Sequence, residues 1–174
     1  MNVILVDEQD VQIGTMEKLE VHEKALLHRA FSVFIFNNKG EMLLQQRAAK
    51  KYHSASLWTN ACCSHPQPGQ QTLHAAAIRL QQEMGFTTTL KKAFDFTYKA
   101  PFDNGLTEHE FDHVFVGNYN GNILPNADEV SDYCYKKIDE IEDSIASHPQ
   151  KYTVWFKIAF PLVQQYLAKN STID

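Results

Sequence analysis

The sequence is short of several things at once, and each shortage removes a class of protein. It has three cysteines, Cys62, Cys63 and Cys134. An odd count with two of them adjacent makes a poor disulfide framework, so a reducing, cytoplasmic setting is expected. A basic excess is missing too: 16 Lys and Arg stand against 21 Asp and Glu, for a formal net charge of -5. Broad nucleic-acid binding needs surplus cations to neutralise phosphates and is not expected here. A small anionic ligand needs only a few local ones. No apolar run approaches the ~20 residues of a membrane span, so no membrane partner is expected. The opening Met1-Asn2-Val3-Ile4-Leu5-Val6-Asp7 has no basic region and meets an acid almost at once. It reads as a strand, not as a signal or transit peptide. Repeats, linkers and low-complexity tracts are absent as well. With 174 residues and 44% hydrophobic content, one ordinary globular domain over 1–174 is expected.

What is present falls into strands with a few helices between them. A first strand is expected at 3–7, with a turn at Gly14. Residues 28–36 form a near-continuous apolar run, as for a strand buried on both faces. Asn37-Asn38-Lys39-Gly40 is turn chemistry, and 41–46 returns as the second arm of a hairpin. Residues 47–56 are polar and irregular, and 57–61 read as a short strand. Thr72 is placed as the N-cap of a helix to about Met84, with Leu73, Ala76, Ala77, Leu80 and Met84 on one face and Gly85 as its stop. Residues 86–100 read as extended, 101–105 as a loop, and 108–119 and 130–136 as strands. Helices are expected at 139–147 and 152–168, with Pro161 obliging the second to start late or kink. This pattern predicts an α/β (α+β) fold, a mixed sheet flanked by helices.

The chemistry concentrates in two segments. Thr59-Asn60-Ala61-Cys62-Cys63-Ser64-His65-Pro66 presents a thiol and an imidazole at fixed separation in a small-residue loop. A free thiol, with a pKa of about 8.5, is tuned by charge and burial to act as nucleophile, acid or ligand. The alternative is a pair of small core residues; the polar loop and His65 weigh against it. In Glu108-His109-Glu110-Phe111-Asp112, strand alternation puts Glu108, Glu110 and Asp112 on one face and His109, Phe111 and His113 on the other. Either the acids face water on an edge strand, or a cation or proton offsets their repulsion and burial. Of the eight histidines, His53, His74 and His148 read as surface residues, while His22 and His28 flank a short segment before the buried strand. His22, His28 and His65 with Glu108 and Glu110 would make a mixed N/O site suited to Zn, Mn or Fe rather than Ca. Spacing alone does not bring residue 28 to residue 108. Arg79 and Glu83, four apart on the helix, are either a surface pair or a phosphate-binding cation beside a metal ligand. Glu83-Met84-Gly85-Phe86 matches the tail of a Nudix box. Ile78, Arg79 and Gln82 stand where that box carries its Arg-Glu and its second Glu, which argues against ordinary diphosphate hydrolysis.

These segments, with His28-Arg29-Ala30-Phe31-Ser32-Val33-Phe34, Gln45-Gln46-Arg47, Phe96-Thr97-Tyr98-Lys99 and Trp155-Phe156, resemble one family in order and spacing. That family is the type I isopentenyl-diphosphate isomerases, which use a Nudix-like fold. The resemblance implies Cys63 (not Cys62) and Glu110 as catalytic residues, with Tyr98 beside the glutamate. It implies a Mn or Zn ion on His22, His28, His65, Glu108 and Glu110, with His53 a competitor for the place of His22. A second ion, Mg, would join the substrate diphosphate to Glu83 and the Cys63 backbone carbonyl. Lys18, Arg47, Lys51 and Arg79 match diphosphate-facing cations, and Trp155 the indole near the hydrocarbon. The implied reaction is a 1,3-allylic proton shift on a small allylic diphosphate, with Glu110 the favoured donor and a Cys63 thiolate the acceptor, the direction being open. A monomer or weak homodimer is expected. The chain departs from the family by lacking a Pro-Gly before Leu57 and a proline before Trp155. A Nudix hydrolase and a closed zinc-binding module are the competing readings.

Overall fold

The computed structural model describes residues 1–170, so the last four positions of the expected domain lie outside the described residues. In chain order the elements are β1 (Asn2–Val6), β2 (Gln12–Glu17), α1 (Lys18–Glu23), β3 (His28–Phe36), β4 (Met42–Arg47), β5 (Trp58–Thr59), β6 (Cys62–Ser64), α2 (Thr72–Met84), β7 (Lys91–Pro101), β8 (Thr107–Asn118), β9 (Val130–Lys136), α3 (Ile138–Ser147) and α4 (Val154–Asn170).

Strand β3 organises the sheet. One edge pairs in parallel with β8 along its full length, from His28↔Glu110 to Phe36↔Asn118. Its other edge is shared among β1, β6 and β4. β3 and β4 meet only at Phe36↔Met42, next to the turn that joins them. Beyond it they diverge, and the segment carrying β5 and β6 fills the wedge, β5 on β4 and β6 on β3. The sheet has apolar residues on both faces because each face has its own helical cover. Phe31, Val33 and Ile35 join Ala76, Leu80 and Met84 of α2 in one core. Phe34 and Phe36 join Ile141 of α3 and Phe156, Ala159 and Phe160 of α4 in the other. That is why residues 28–36 read as continuous apolar sequence.

Several expected boundaries move. Gly14 is not a turn but lies inside β2, opposite Leu5. The chain reverses at Asp7, whose carboxylate accepts from the backbone N–H of Gln9 and Val11, with Asp10 at φ 64°. The six-residue α1, too short to show a period, is capped by the Glu17 side chain. The strand expected at 57–61 shrinks to β5, and the one at 86–100 begins at β7. Thr72 is the first helical residue of α2; the N-cap position is held by Gln71, without a side-chain cap bond. The last helix starts at Val154, well before Pro161, which sits within it and does not set its start; the Thr153 hydroxyl accepts from the Phe156 N–H. Where Pro-Gly is missing, Ser54 and Ser56 hold positive φ of 51° and 63°.

Gly85 closes α2 in the left-handed region, at φ 76°. A Cβ there would come within 2.2 Å of the Leu124 carbonyl oxygen. Strain and clash together predict that Gly85→Ala loses at least about 2 kcal/mol. Urea unfolding measures this; an unchanged midpoint would mean that the segment at Leu124 yields freely.

Candidate active site

The parallel register sets His28, the first residue of β3, beside Glu110 of β8. Two residues earlier, on the same face of β8, is Glu108. His22 enters from α1 and His65 from the end of β6, and the five donor atoms lie within 4.8 Å of one another. β8 is flanked by β3 and β7, so its acids are not on a wet edge. Glu108, Glu110 and Asp112 are 4%, 8% and 1% exposed.

The imidazoles are oriented from behind. His28 Nδ1 lies 2.9 Å from the Leu26 carbonyl and His22 Nδ1 lies 3.2 Å from the Tyr52 hydroxyl. Each ring therefore presents Nε2, as outer-shell partners do for metal-binding histidines. His65 Nε2 is 3.1 Å from His28 Nε2 and 2.9 Å from Glu110 Oε1, and His22 Nε2 is 3.1 Å from Glu108 Oε2. Despite that proximity, the buried His22 Nε2 and Glu108 Oε2 make no well-formed hydrogen bond. Convergent nitrogen lone pairs and carboxylates, left unsatisfied in a buried site, fit a divalent cation. Burial and the neighbouring His28 hold the His65 pKa well down, which keeps its ring neutral.

Alternation along β6 separates the two cysteines. Cys62 is buried in the α2 core, whereas Cys63 faces the α4 side. The Cys63 thiol donates to Asn60 Oδ1 at 3.1 Å and lies 3.4 Å from the Ser32 hydroxyl, which donates to Asp112. Burial, and then the nearby Asp112, push the Cys63 pKa up, favouring the thiol. Burial alone would also raise Glu110. Its neighbours, His28 first and the Tyr98 hydroxyl at 2.7 Å among them, outweigh burial and bring Glu110 down to about 2. The antiparallel register Tyr98↔Glu110 sets up that contact.

Cys63, Tyr98 and Glu110 line one cleft with Lys18, Arg47, Lys51, Arg79 and Trp155. All four expected cations are thus brought together, although they come from α1, β4, the following loop and α2. The Arg47 guanidinium lies 5.2 Å from the Trp155 ring. Arg79 is no surface residue of a simple pair: it bridges Glu83 at 3.0 Å and Glu129 at 3.1 Å, and Lys51 also pairs with Glu129. Glu83 is buried and accepts from Gln45 Nε2 at 2.8 Å.

His53 is a correction. Its side chain is 7% exposed, and its Nε2 is 3.2 Å from Glu108 Oε1. It stacks on Phe102 at 4.9 Å, which removes it from solvent. His74 and His148 are exposed as expected. Sequence reading also overlooked Ser32, Gln45, Tyr52, Asn60 and Glu129. Asn60 carried a signal, being embedded in the Cys-His loop; Tyr52 lies in an irregular segment with no period to orient it.

The NUDIX domain matches residues 26–156. An isopentenyl-diphosphate Delta-isomerase of Pectobacterium atrosepticum is 49% identical over 94% of this chain and 92% of its own length. The Photorhabdus laumondii isopentenyl-diphosphate Delta-isomerase 2 is 50% identical, covering 89% of this chain and 88% of the relative. This chain belongs to the isopentenyl-diphosphate Delta-isomerase family. A solved structure from Deinococcus radiodurans superposes with a TM-score of 0.71 at 16% identity, over 85% of this chain and 90% of that one, which supports the fold alone. For an isomerase of this family, an α+β Nudix fold agrees with the expected class.

If the five-residue group binds a divalent ion, adding Mn or Zn to chelator-treated protein raises the melting temperature. At 100-fold the dissociation constant the gain is about 2.7 kcal/mol. The gain disappears in His65→Ala and shrinks in Glu108→Gln; an undiminished shift in both variants would place the ion elsewhere.

Proposed function

We propose that this chain interconverts isopentenyl and dimethylallyl diphosphate, with Cys63 and Glu110 as the two proton-transfer groups. The observation that carries this assignment is one cleft lined by the Cys63 thiol, the Glu110 carboxyl group and the Trp155 indole, with four cations around it. A 1,3-shift adds a proton to the terminal alkene carbon and removes another from the carbon two bonds away. The intermediate is a tertiary carbocation, so a donor and an acceptor must both be in place before it forms.

The resting hydrogen bonds bear on the direction. Both neighbours of Cys63 Sγ are acceptors, since Asn60 offers Oδ1 and the Ser32 hydroxyl proton is directed to Asp112. Glu110 instead receives a proton donor, Tyr98. This arrangement favours Cys63 as the group that gives a proton to the alkene and Glu110 as the one that receives, the reverse of the assignment favoured on sequence. Each turnover then leaves a proton on Glu110 and none on Cys63, and exchange with water resets the pair. In the opposite reaction the roles exchange.

Lys18, Arg47, Lys51 and Arg79 are proposed to hold the diphosphate by charge-assisted hydrogen bonds. Trp155 turns its ring into the cleft, where its π-face stabilises the cation and its bulk keeps water away. His22, His28, His65, Glu108 and Glu110 would hold Mn or Zn, and Glu83 with the Cys63 carbonyl would hold Mg on the diphosphate. Bound there, such ions supply positive charge that offsets the buried carboxylates and the phosphates. With its three cysteines free, we place the enzyme in a reducing cytoplasm, as a single domain acting as monomer or weak homodimer.

The test is to incubate purified protein with isopentenyl diphosphate and Mg and to follow the products. Formation of the dimethylallyl isomer is expected; phosphate release without it would point to a hydrolase. Cys63→Ala should lower turnover by about 10²–10⁴-fold, the range for losing a general acid or base. Cys62→Ala, which removes only a core sulfur, should retain most activity. Equal losses would show that the thiol has been misassigned.

A further inference from the structure

Thr59 is a buried hydroxyl with no role in the reaction as drawn above. It sits on β5, in the wedge between β3 and β4, and every hydrogen-bonding valence it has is used. Its Oγ1 accepts from the Trp155 indole N–H at 3.0 Å and from the Thr153 hydroxyl at 3.1 Å, and it donates to Asn60 Oδ1 at 2.9 Å. A hydroxyl has one donor and two acceptor sites, so nothing is left over.

The directions of these bonds are forced. An indole N–H can only donate. The Asn60 amide group donates to the carbonyls of Val33 and Cys62, at 2.9 and 3.0 Å, which turns its oxygen toward Thr59 and Cys63. Thr59 must therefore donate to Asn60, and Thr153 must donate to Thr59. The same Asn60 oxygen accepts the Cys63 thiol at 3.1 Å. An unbroken hydrogen-bonded path thus joins the indole to the thiol, with Thr59 and Cys63 both donating to the Asn60 oxygen, and Thr59, Asn60 and Thr153 are almost wholly excluded from solvent. A branch of the path anchors α4: Thr153 caps that helix, and its backbone N–H reaches the Trp58 carbonyl at 3.0 Å.

We propose that Thr59 is a positioning residue that fixes the Trp155 ring and the Cys63 thiol relative to one another. This rests on the proton-shift reading of the site. A cation that lives only while it is held between donor and indole tolerates little misplacement: displacement of about 1 Å in a reacting group costs on the order of 10²-fold in rate. Thr59 touches neither substrate nor reacting atoms. Its effect on turnover passes through the two side chains it holds.

The test compares Thr59→Val, which keeps the shape and loses the hydroxyl, with Thr59→Ser, which keeps the hydroxyl. Expected for Thr59→Val is a kcat lower by on the order of 10²-fold with a much smaller change in KM, because none of the hydrogen bonds of Thr59 goes to a diphosphate cation. Thr59→Ser should recover most of kcat. A readout independent of activity is the indole N–H NMR spectrum, which carries two resonances because the chain has two tryptophans. Trp155→Phe assigns them. The Trp155 resonance should move upfield in Thr59→Val and return in Thr59→Ser, while that of Trp58 stays. If Thr59→Val does not fold, Thr59→Ala provides the same comparison in a smaller side chain. A wild type that turns over alongside a Thr59→Val of equal kcat overturns the positioning role. So does an equal loss in Val and Ser variants. A wild type that does not isomerise overturns the proton-shift reading instead, and the indole resonance still reports whether Thr59 holds Trp155.

Discussion

The site depends on the parallel pairing of β3 with β8. Nothing local connects His28 with Glu110, which are 82 positions apart by their numbering, yet the register places them abreast. Once that pairing is made, strand alternation delivers the rest of one face: Glu108 and Asp112 either side of Glu110, and Ser32 further along β3. A one-residue slip of β8 would turn Glu108, Glu110 and Asp112 to the opposite face of the sheet, away from His28 and His65. The apolar residues of β3 resist such a slip because both faces are packed, Phe34 against Phe156 on one side and Val33 within the α2 core on the other.

Three buried carboxylates on one strand face would oppose folding if left as like charges. The structure meets each differently. Glu108 is approached by His22, His28 and His53. Glu110 takes His65 and Tyr98. Asp112 has the Ser32 hydroxyl on one oxygen and, among the described residues, no partner on the other, and burial next to Glu110 pushes its pKa well up, toward the neutral acid. The cations of the cleft obey the same logic on the other side: Glu129 pairs with both Lys51 and Arg79. An acidic protein thereby gathers four cations in one cleft, two of them held by carboxylates, because local pairing and not net charge decides where the charges sit.

The wedge between β3 and β4 shapes the reactive side of the site. Since the two strands diverge after Phe36↔Met42, the short strands β5 and β6 can occupy the gap and bring Cys63 to the face opposite Cys62. That divergence also lets β5 meet the start of α4, so the indole of Trp155 and the thiol of Cys63 are tied through the same short segment.

Much of this was legible in the residues alone. The apolar run of β3, the Gly85 stop, the alternation of Glu108, Glu110 and Asp112, and the polar loop around Cys63 are local patterns, set by turn chemistry and by the two-residue period of a strand. Resemblance of those motifs to a family singled out the five His and Glu side chains that cluster and the four cations. Local pattern could not say whether the acids of β8 face water, because that depends on which strands lie on either side of it. Nor could it orient Tyr52 and His53, in a segment without period, or find the bonds of Thr59, whose partners lie at Asn60, Thr153 and Trp155. Sequence determined which groups exist and which face of its own element each takes. Tertiary structure alone decided which faces meet, because register, strand divergence and helix docking are contacts between residues far apart in the chain.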